Sequence, residues 1–328
     1  MSVAGFAVIA FLLTGYVLLD GYDLGVAAIA PLIGRSDHER ASAMASIGPF
    51  WNGNEVWLIA AGAALFALFP AAYASSFSGF YLPFIVALWL LMFRGIALEV
   101  RERRASELWH QFWDAAFSLA SGLLIVLFGV ALGNLLRGVP LDSAGYFQGT
   151  FAFLLNPYAL LVGVFALVTL GAHGAAFAAM RIDGEPGARA TRLVRRAVWL
   201  MLVLYVAVTA STFAMHVPIR ASWLFVMPLL SLAALAGLWQ AARKGREVGA
   251  FAMSSCFIVA LLVTAAGTLF PYLLPAFPAG SGGISIFEAA PSATALSCAL
   301  TVTLLGIVLL AIYAPAVWQR MGGKIRVE

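Results

Sequence analysis

The stretch Trp51-Asn52-Gly53-Asn54-Glu55-Val56-Trp57 sets an ionisable carboxylate at the head of an apolar run that continues from Leu58 to Pro70. Asn52 and Glu55 are three apart, so on a helix they share a face. An acid in such a place can hold a proton, pair with a cation or orient a helix. In an apolar span it is a functional residue by default. The same reading picks out Asp20 and Asp23 in Asp20-Gly21-Tyr22-Asp23-Leu24-Gly25, Arg94 after Trp89-Leu90-Leu91-Met92-Phe93, Glu99 at the close of that run, and Asp114 after Trp109 and Trp113. Carboxylates in lipid are costly unless they face protein or water, so these are expected to point inward with Arg94 as counter-charge. A mixture of this kind can carry protons. The plainer alternatives are a solvated helix start for Glu55 and a static ion pair that orients helices for the rest.

The elements that must position these residues are membrane spans. Over 328 residues the chain is 63% hydrophobic and 10% charged, with mean hydropathy +0.97. No soluble domain has that composition. Apolar runs of bilayer length recur near 3–32, 51–70, 76–99, 113–136, 152–180, 197–217, 222–242, 251–274 and 292–318. The expectation is an all-α integral membrane protein of about nine transmembrane helices, a single polytopic membrane domain over 1–328. The runs lack the short alternation of a transmembrane barrel. Met1-Ser2-Val3 has no basic n-region, so the first run is expected to remain in the mature chain.

Positive charge sets the orientation. With the N-terminus outside and the C-terminus cytoplasmic, the inner connectors collect Arg35, Arg40, Arg101, Arg103, Arg104, Arg181, Arg189, Arg192, Arg195, Arg196, Arg243, Lys244 and Arg246, and the tail adds Arg320, Lys324 and Arg326. The outer side keeps Arg137 and Arg220. The net charge of +4 is therefore a topology signal with contact to anionic lipid, and it excludes a nucleic-acid partner. The acids and Arg94 fall in the first four spans, on the inner half.

Other chemistry is sparse. His38, His110 and His216 sit at connectors or helix ends, and His173 in Leu170-Gly171-Ala172-His173-Gly174-Ala175 is deep in a span. It could ligate heme or hydrogen-bond within the bundle, and the second is favoured because no other ligand stands at helical spacing from it. Cys256 and Cys298 have no metal-ligand spacing and are expected to be buried as small apolar groups. No phosphate loop, Cys-x-x-Cys or Gly-x-Ser-x-Gly pattern occurs. Gly21 and Gly25, four apart, suit a close helix crossing. Trp51, Trp109, Trp113 and Trp318 fit interfacial belts.

These stretches resemble subunit II of the cytochrome bd-type quinol oxidases, including the cyanide-insensitive branch. The resemblance lies in Asp20–Gly25 and in Trp51–Trp57 with its continuation Leu58–Ala67. It extends to Ser78-Gly79-Phe80-Tyr81, Phe93-Arg94, Gly133–Pro140, Leu154-Leu155-Asn156-Pro157, Ala265-Ala266-Gly267 and Phe270-Pro271. It implies nine helices, mainly in two four-helix bundles, in the bacterial cytoplasmic (inner) membrane. It implies a partner, subunit I, that ligates heme b and heme d, oxidises quinol and reduces dioxygen to water in the respiratory chain. This chain would be catalytic only as part of that quinol:oxygen oxidoreductase, with no cofactor or metal of its own. It would stabilise the complex and contribute a cytoplasmic proton path through Asp20, Asp23, Asn52, Glu55, Arg94, Glu99 and Asp114. Trp51 and Trp57 would face the heme-bearing partner. A bound quinone and a small accessory subunit are left open. Some members carry aspartate where this chain has Asn52 and glutamine where it has Glu55, which shifts the ionisable group by one helical turn. The competing readings are a stand-alone proton-coupled secondary transporter, which purification without a pigmented partner would reveal, and a purely structural scaffold.

Overall fold

The computed structural model describes residues 1–217 and 222–325. Pro218, Arg220 and Arg326, the last two counted above as outer and inner charges, lie outside the described residues. The chain is helical throughout its apolar runs: α1 (Ser2–Ile33), α2 (Asp37–Ile47), α3 (Trp51–Leu68), α4 (Pro70–Gly79), α5 (Tyr81–Val100), α6 (Glu107–Arg137), α7 (Phe151–Leu154), α8 (Pro157–Arg181), α9 (Glu185–Ala214), α10 (Met227–Arg243), α11 (Glu247–Leu269) and α12 (Ala293–Met321). Among the described residues eight of these are long and apolar enough to cross a membrane, counting short 3-10 turns that extend α5 to Arg103 and α10 back to Leu224. The expected span at 51–70 is the exception. Its helix, α3, has 18 residues, but Asn52, Asn54 and Glu55 dilute its first turns. It stops at Phe69, and Pro70 starts α4 at a position where a missing N–H costs nothing.

Local sequence explains where the helices begin and end. Asn156 caps α8 by accepting from the Ala159 N–H at 3.0 Å, with Pro157 in the first turn. α6 ends at Gly138, whose φ of 90° few other residues adopt. α2, a short polar helix unforeseen in the connector after α1, has a full capping box. The Ser36 hydroxyl accepts from Glu39 N–H, and the Glu39 carboxylate accepts from Ser36 N–H.

α8 is the packing centre. Its run Thr169–Ala179 is buried almost without interruption, and α1, α6, α9 and α11 all pack on it. Small residues permit these approaches: Gly129 of α6 meets Gly163 of α8, and Gly133 meets Ala159. The outward faces are apolar, with Phe11, Leu88, Trp89, Leu119, Val203 and Leu305 exposed, as suits lipid or partner contact.

One end of the bundle gathers the arginines. There the tail runs beside the α8–α9 turn. Ile325 N–H donates to the Arg181 carbonyl (2.7 Å), Asp183 N–H donates to the Ile325 carbonyl (3.0 Å), and Lys324 pairs with Asp183 (3.2 Å) and Glu247 (2.9 Å). Arg181 donates to the carbonyls of Met321 and Gly323. At the other end, in the Gly-, Ser- and Pro-rich connector, β1 (Tyr272–Pro275) pairs antiparallel with β2 (Gly283–Ser285). The cysteine expectation is corrected: Cys256 on α11 and Cys298 on α12 are both exposed. Their apolar surroundings are the outside of the bundle, not its core.

Candidate functional site

Arg94 on α5 is fully buried, and three acids from two other helices converge on it. Its Nη2 lies 2.6 Å from Asp20 Oδ1 and its Nη1 3.2 Å from Asp20 Oδ2, a two-point contact. Nη1 also donates to Glu55 Oε1 at 2.9 Å, and Asp23 Oδ2 stands 3.9 Å from Nη2. Asp20 and Asp23 are fully buried, whereas the Glu55 side chain is 24% exposed. The i, i+3 spacing on α1 brings both aspartates to one face, as the sequence implies, and Arg94 is their counter-charge.

Asn54 completes the group and went unnoticed in the sequence. Its Nδ2 lies 2.7 Å from Asp23 Oδ2, 2.8 Å from the Tyr22 hydroxyl and 3.3 Å from the Leu19 carbonyl. The Leu19 carbonyl can only accept, so the nitrogen faces this cluster, and its two hydrogens are shared among the three oxygens. The signal was present: Asn54, Trp57, Ala61, Ala64 and Leu68 are the buried residues of α3, at alternating steps of three and four. Asn52 lies off that stripe and is exposed, as is Glu99, and neither joins the group. Trp57 is buried within this chain on Gly15 and beside Phe11 (5.8 Å), a core position and not an outward one. Trp51 is half-buried over Gly95 of α5, 3.5 Å from where a Cβ would stand.

Asp114 belongs to a second group nearer the arginine-rich end. Arg101, only 1% exposed, donates from Nε to Asp114 Oδ1 at 2.6 Å, and Arg40 Nε donates to Asp114 Oδ2 at 2.7 Å. Arg101 Nη2 also reaches Asp37 Oδ1 at 2.6 Å, and His110 Nδ1 lies 3.0 Å from Asp37 Oδ2. Arg40 and Arg101, read from sequence as topology charges alone, thus tie α2 and α5 to α6. Partial burial pushes the Asp37 carboxyl up, but Arg101 and His110 outweigh it and hold it below the usual carboxylate range. Farther out, Arg189 of α9 binds Glu39 at 2.6 Å. That bond, with the N–H groups of Arg35 and Ser36, overcomes a small burial effect and brings Glu39 down to about 2.

The lone deep histidine is fully engaged. His173 Nε2 lies 3.0 Å from the Leu18 carbonyl, so it carries the proton, and Nδ1 meets Ser254 Oγ at 2.8 Å. Among the described residues no group of three His, Cys, Asp or Glu could hold a metal ion. What the main site can do chemically is bounded by its charges: three carboxyls surround one guanidinium, so full ionisation would leave two negative charges without a partner.

Known proteins resemble the chain from end to end. Cytochrome bd-I ubiquinol oxidase subunit 2 of Escherichia coli K12 is 31% identical over 97% of this chain and 93% of its own length. A probable cytochrome oxidase subunit 2 of Haemophilus influenzae is 32% identical over 96% of this chain and 92% of its own. Cytochrome bd ubiquinol oxidase subunit 2 of Bacillus subtilis is 35% identical over 62% of this chain and 60% of its own. A chain of the bd oxidase of Geobacillus thermodenitrificans shares the fold, with TM-score 0.78 at 17% identity, over 98% of this chain and 97% of that one. Residues 1–321 match the family described as cytochrome bd terminal oxidase subunit II, and the chain belongs to that family.

Proposed function

We propose that this chain is the subunit of a bacterial inner-membrane quinol oxidase that binds no heme itself, stabilises a heme-bearing subunit I, and delivers cytoplasmic protons for the reduction of dioxygen to water. Hemes b and d of subunit I, when bound, supply electron transfer and the dioxygen chemistry. The work of this chain is to hold protons near them. The observation that carries the reading is the imbalance around Arg94: two acids sealed in protein, and a third, Glu55, open at its edge.

Such a group favours one or more protonated carboxyls, because unpaired buried charge is expensive. Asp20, accepting from Arg94 at both oxygens, is the carboxylate that balances it, and Asn54 fixes Asp23 through Oδ2 while Oδ1 stays without a partner among the described residues. The open edge of Glu55 lies on α3 beside exposed Asn52, Val56 and Ile59. A carboxyl opening onto hydrocarbon is unfavourable, so that face is the natural seat of a companion polypeptide. With the arginine-rich end cytoplasmic, the Asp114 group lies at the mouth of the path and the Arg94 group deeper. An apolar cavity of about 330 Å³, lined by Phe6, Leu13, Phe77, Phe84 and Phe128 among others, supports a bound quinone as a structural ligand.

The test is Glu55→Gln in the assembled oxidase. Dioxygen consumption should slow while the heme spectrum stays intact; normal turnover refutes the role. Purification separates this reading from the transporter, which would be colourless and active alone.

A further inference from the structure

The two charged groups sit at different depths of one helical hairpin. α5 and α6 run antiparallel, and the bond from Arg101 Nε to Asp114 Oδ1 sets their register. Seven residues from that bond along each helix stand Arg94 on α5 and Ser121 on α6. Seven residues make about two turns, roughly 10 Å, and return a side chain to nearly the same face. Ser121 therefore stands at the level of Arg94, on the face from which Asp114 projects. Another seven residues on, Phe128 packs edge-on against Tyr16 of α1 at 5.7 Å, one turn from Asp20. Ser118 falls between Asp114 and Ser121.

Ser121 is fully buried, and among the described residues its hydroxyl has no hydrogen-bond partner. The same holds for Ser118 Oγ, for Nε of Arg94 and for Oδ1 of Asp23. Buried polar atoms are almost always paired, with protein or with ordered water. Two of these unpaired atoms, on Ser118 and Ser121, stand on α6 between the groups, and the other two belong to the Arg94 group itself. That is the arrangement that internal water satisfies, since each molecule needs two to four polar neighbours.

We propose that Ser121, with Ser118 one turn nearer the arginine-rich end, is the hydroxyl relay that passes protons from the Asp114–Arg101 pair to the Arg94–Asp20–Asp23 group through ordered water. The assignment rests on the proton-uptake reading above and gives it a route. A hydroxyl both donates and accepts, which a relay requires. In each step Ser121 Oγ accepts a proton from the water on the Asp114 side and releases its own to the acceptor on the Asp23 side. Only O–H bonds are exchanged, and no electrons move.

The experiment uses the assembled oxidase, with dioxygen consumption on a reduced quinol measured in water and in heavy water across a range of pH. Ser121→Ala should slow turnover about tenfold, equivalent to about 1.4 kcal/mol on the barrier, and should enlarge the solvent isotope effect with the heme spectrum unchanged. Ser121→Thr keeps the hydroxyl and should restore the rate, which a merely packing role would not produce. Ser121→Ala at full rate with an unaltered isotope effect overturns the relay, as does a rate loss that Ser121→Thr shares. Asp20→Asn separates the two levels. If it slows turnover while Ser121→Ala does not, the relay alone fails; if both run at full rate, the uptake reading fails with it.

Discussion

Gly25 of α1 and Gly174 of α8 meet backbone to backbone. A Cβ on Gly25 would lie far closer than van der Waals contact to the Leu170 carbonyl oxygen, and one on Gly174 would lie as unacceptably close to the Gly25 carbonyl carbon. The same α1 turn carries Asp23, so this crossing sets the depth at which the acids sit. Gly25→Ala should destabilise the protein by about 1–3 kcal/mol or more, because backbone cannot yield as a side chain can. Gly62→Ala, with nothing within 4 Å, should be neutral. Thermal denaturation of the purified complex compares the two.

Arg94→Met leaves Asp20 and Asp23 buried with no cation beside them. Removing one partner from a buried pair costs about 3–5 kcal/mol. The variant should assemble poorly, and adding Asp20→Asn should recover part of the loss. Yield of complex and its melting temperature read this directly, and a single variant as stable as the parent would contradict the geometry.

Asn54 and Asn52 make a matched pair of substitutions two residues apart. Asn54→Leu removes the donor to Asp23 and should cost about 1–3 kcal/mol, the penalty of an unsatisfied buried group. Asn52→Leu, off the buried stripe of α3, leaves no buried group of this chain unsatisfied and should cost clearly less than Asn54→Leu. Equal effects would show that α3 is rotated from the orientation described here.

Glu39 ties α2 to α9 through Arg189. Its carboxyl is held at about 2 against an ordinary value of 4.5, chiefly by that hydrogen bond. A depressed folded-state value stabilises α2 above pH 4.5, and that stabilisation is lost as pH falls from 4.5 toward 2. Amide exchange in α2 should therefore accelerate across that window, and Glu39→Gln should flatten the dependence.

Much of this was legible in the chain. Spacing alone put Asp20 and Asp23 on one face, and hydropathy marked all eight spans apart from their ends, together with a ninth at 51–70 whose helix is too polar in its first turns. The ends moved because caps override apolar runs. Asn156 and Pro157 start α8 later than its hydrophobicity suggests, and α9 begins at Glu185, about three turns before its apolar run. Asn52 was grouped with Glu55 by their three-residue spacing, and Glu99 by its type and its place at the close of the run, without reference to the buried face of either helix. The heptad stripe from Asn54 to Leu68 was the discriminating signal. Arg40 and Arg101 were absorbed into a charge count, and no rule of spacing joins residues whose partners lie 74 and 13 positions away. The cysteines show the limit of composition, since apolar neighbours look alike whether they are core or bilayer.

Asp20 leaves the ribosome 74 residues ahead of Arg94. At typical synthesis rates of about 5–20 residues per second, that interval is roughly 4–15 s. Throughout it the first helix carries two acids whose one cation among the described residues has not yet been made, so it cannot settle in hydrocarbon as an independent ionised segment. α1 must enter the membrane with these acids neutralised by protons, or wait at the insertion machinery for the arginine. The order of translation is thus built into the position of a single arginine.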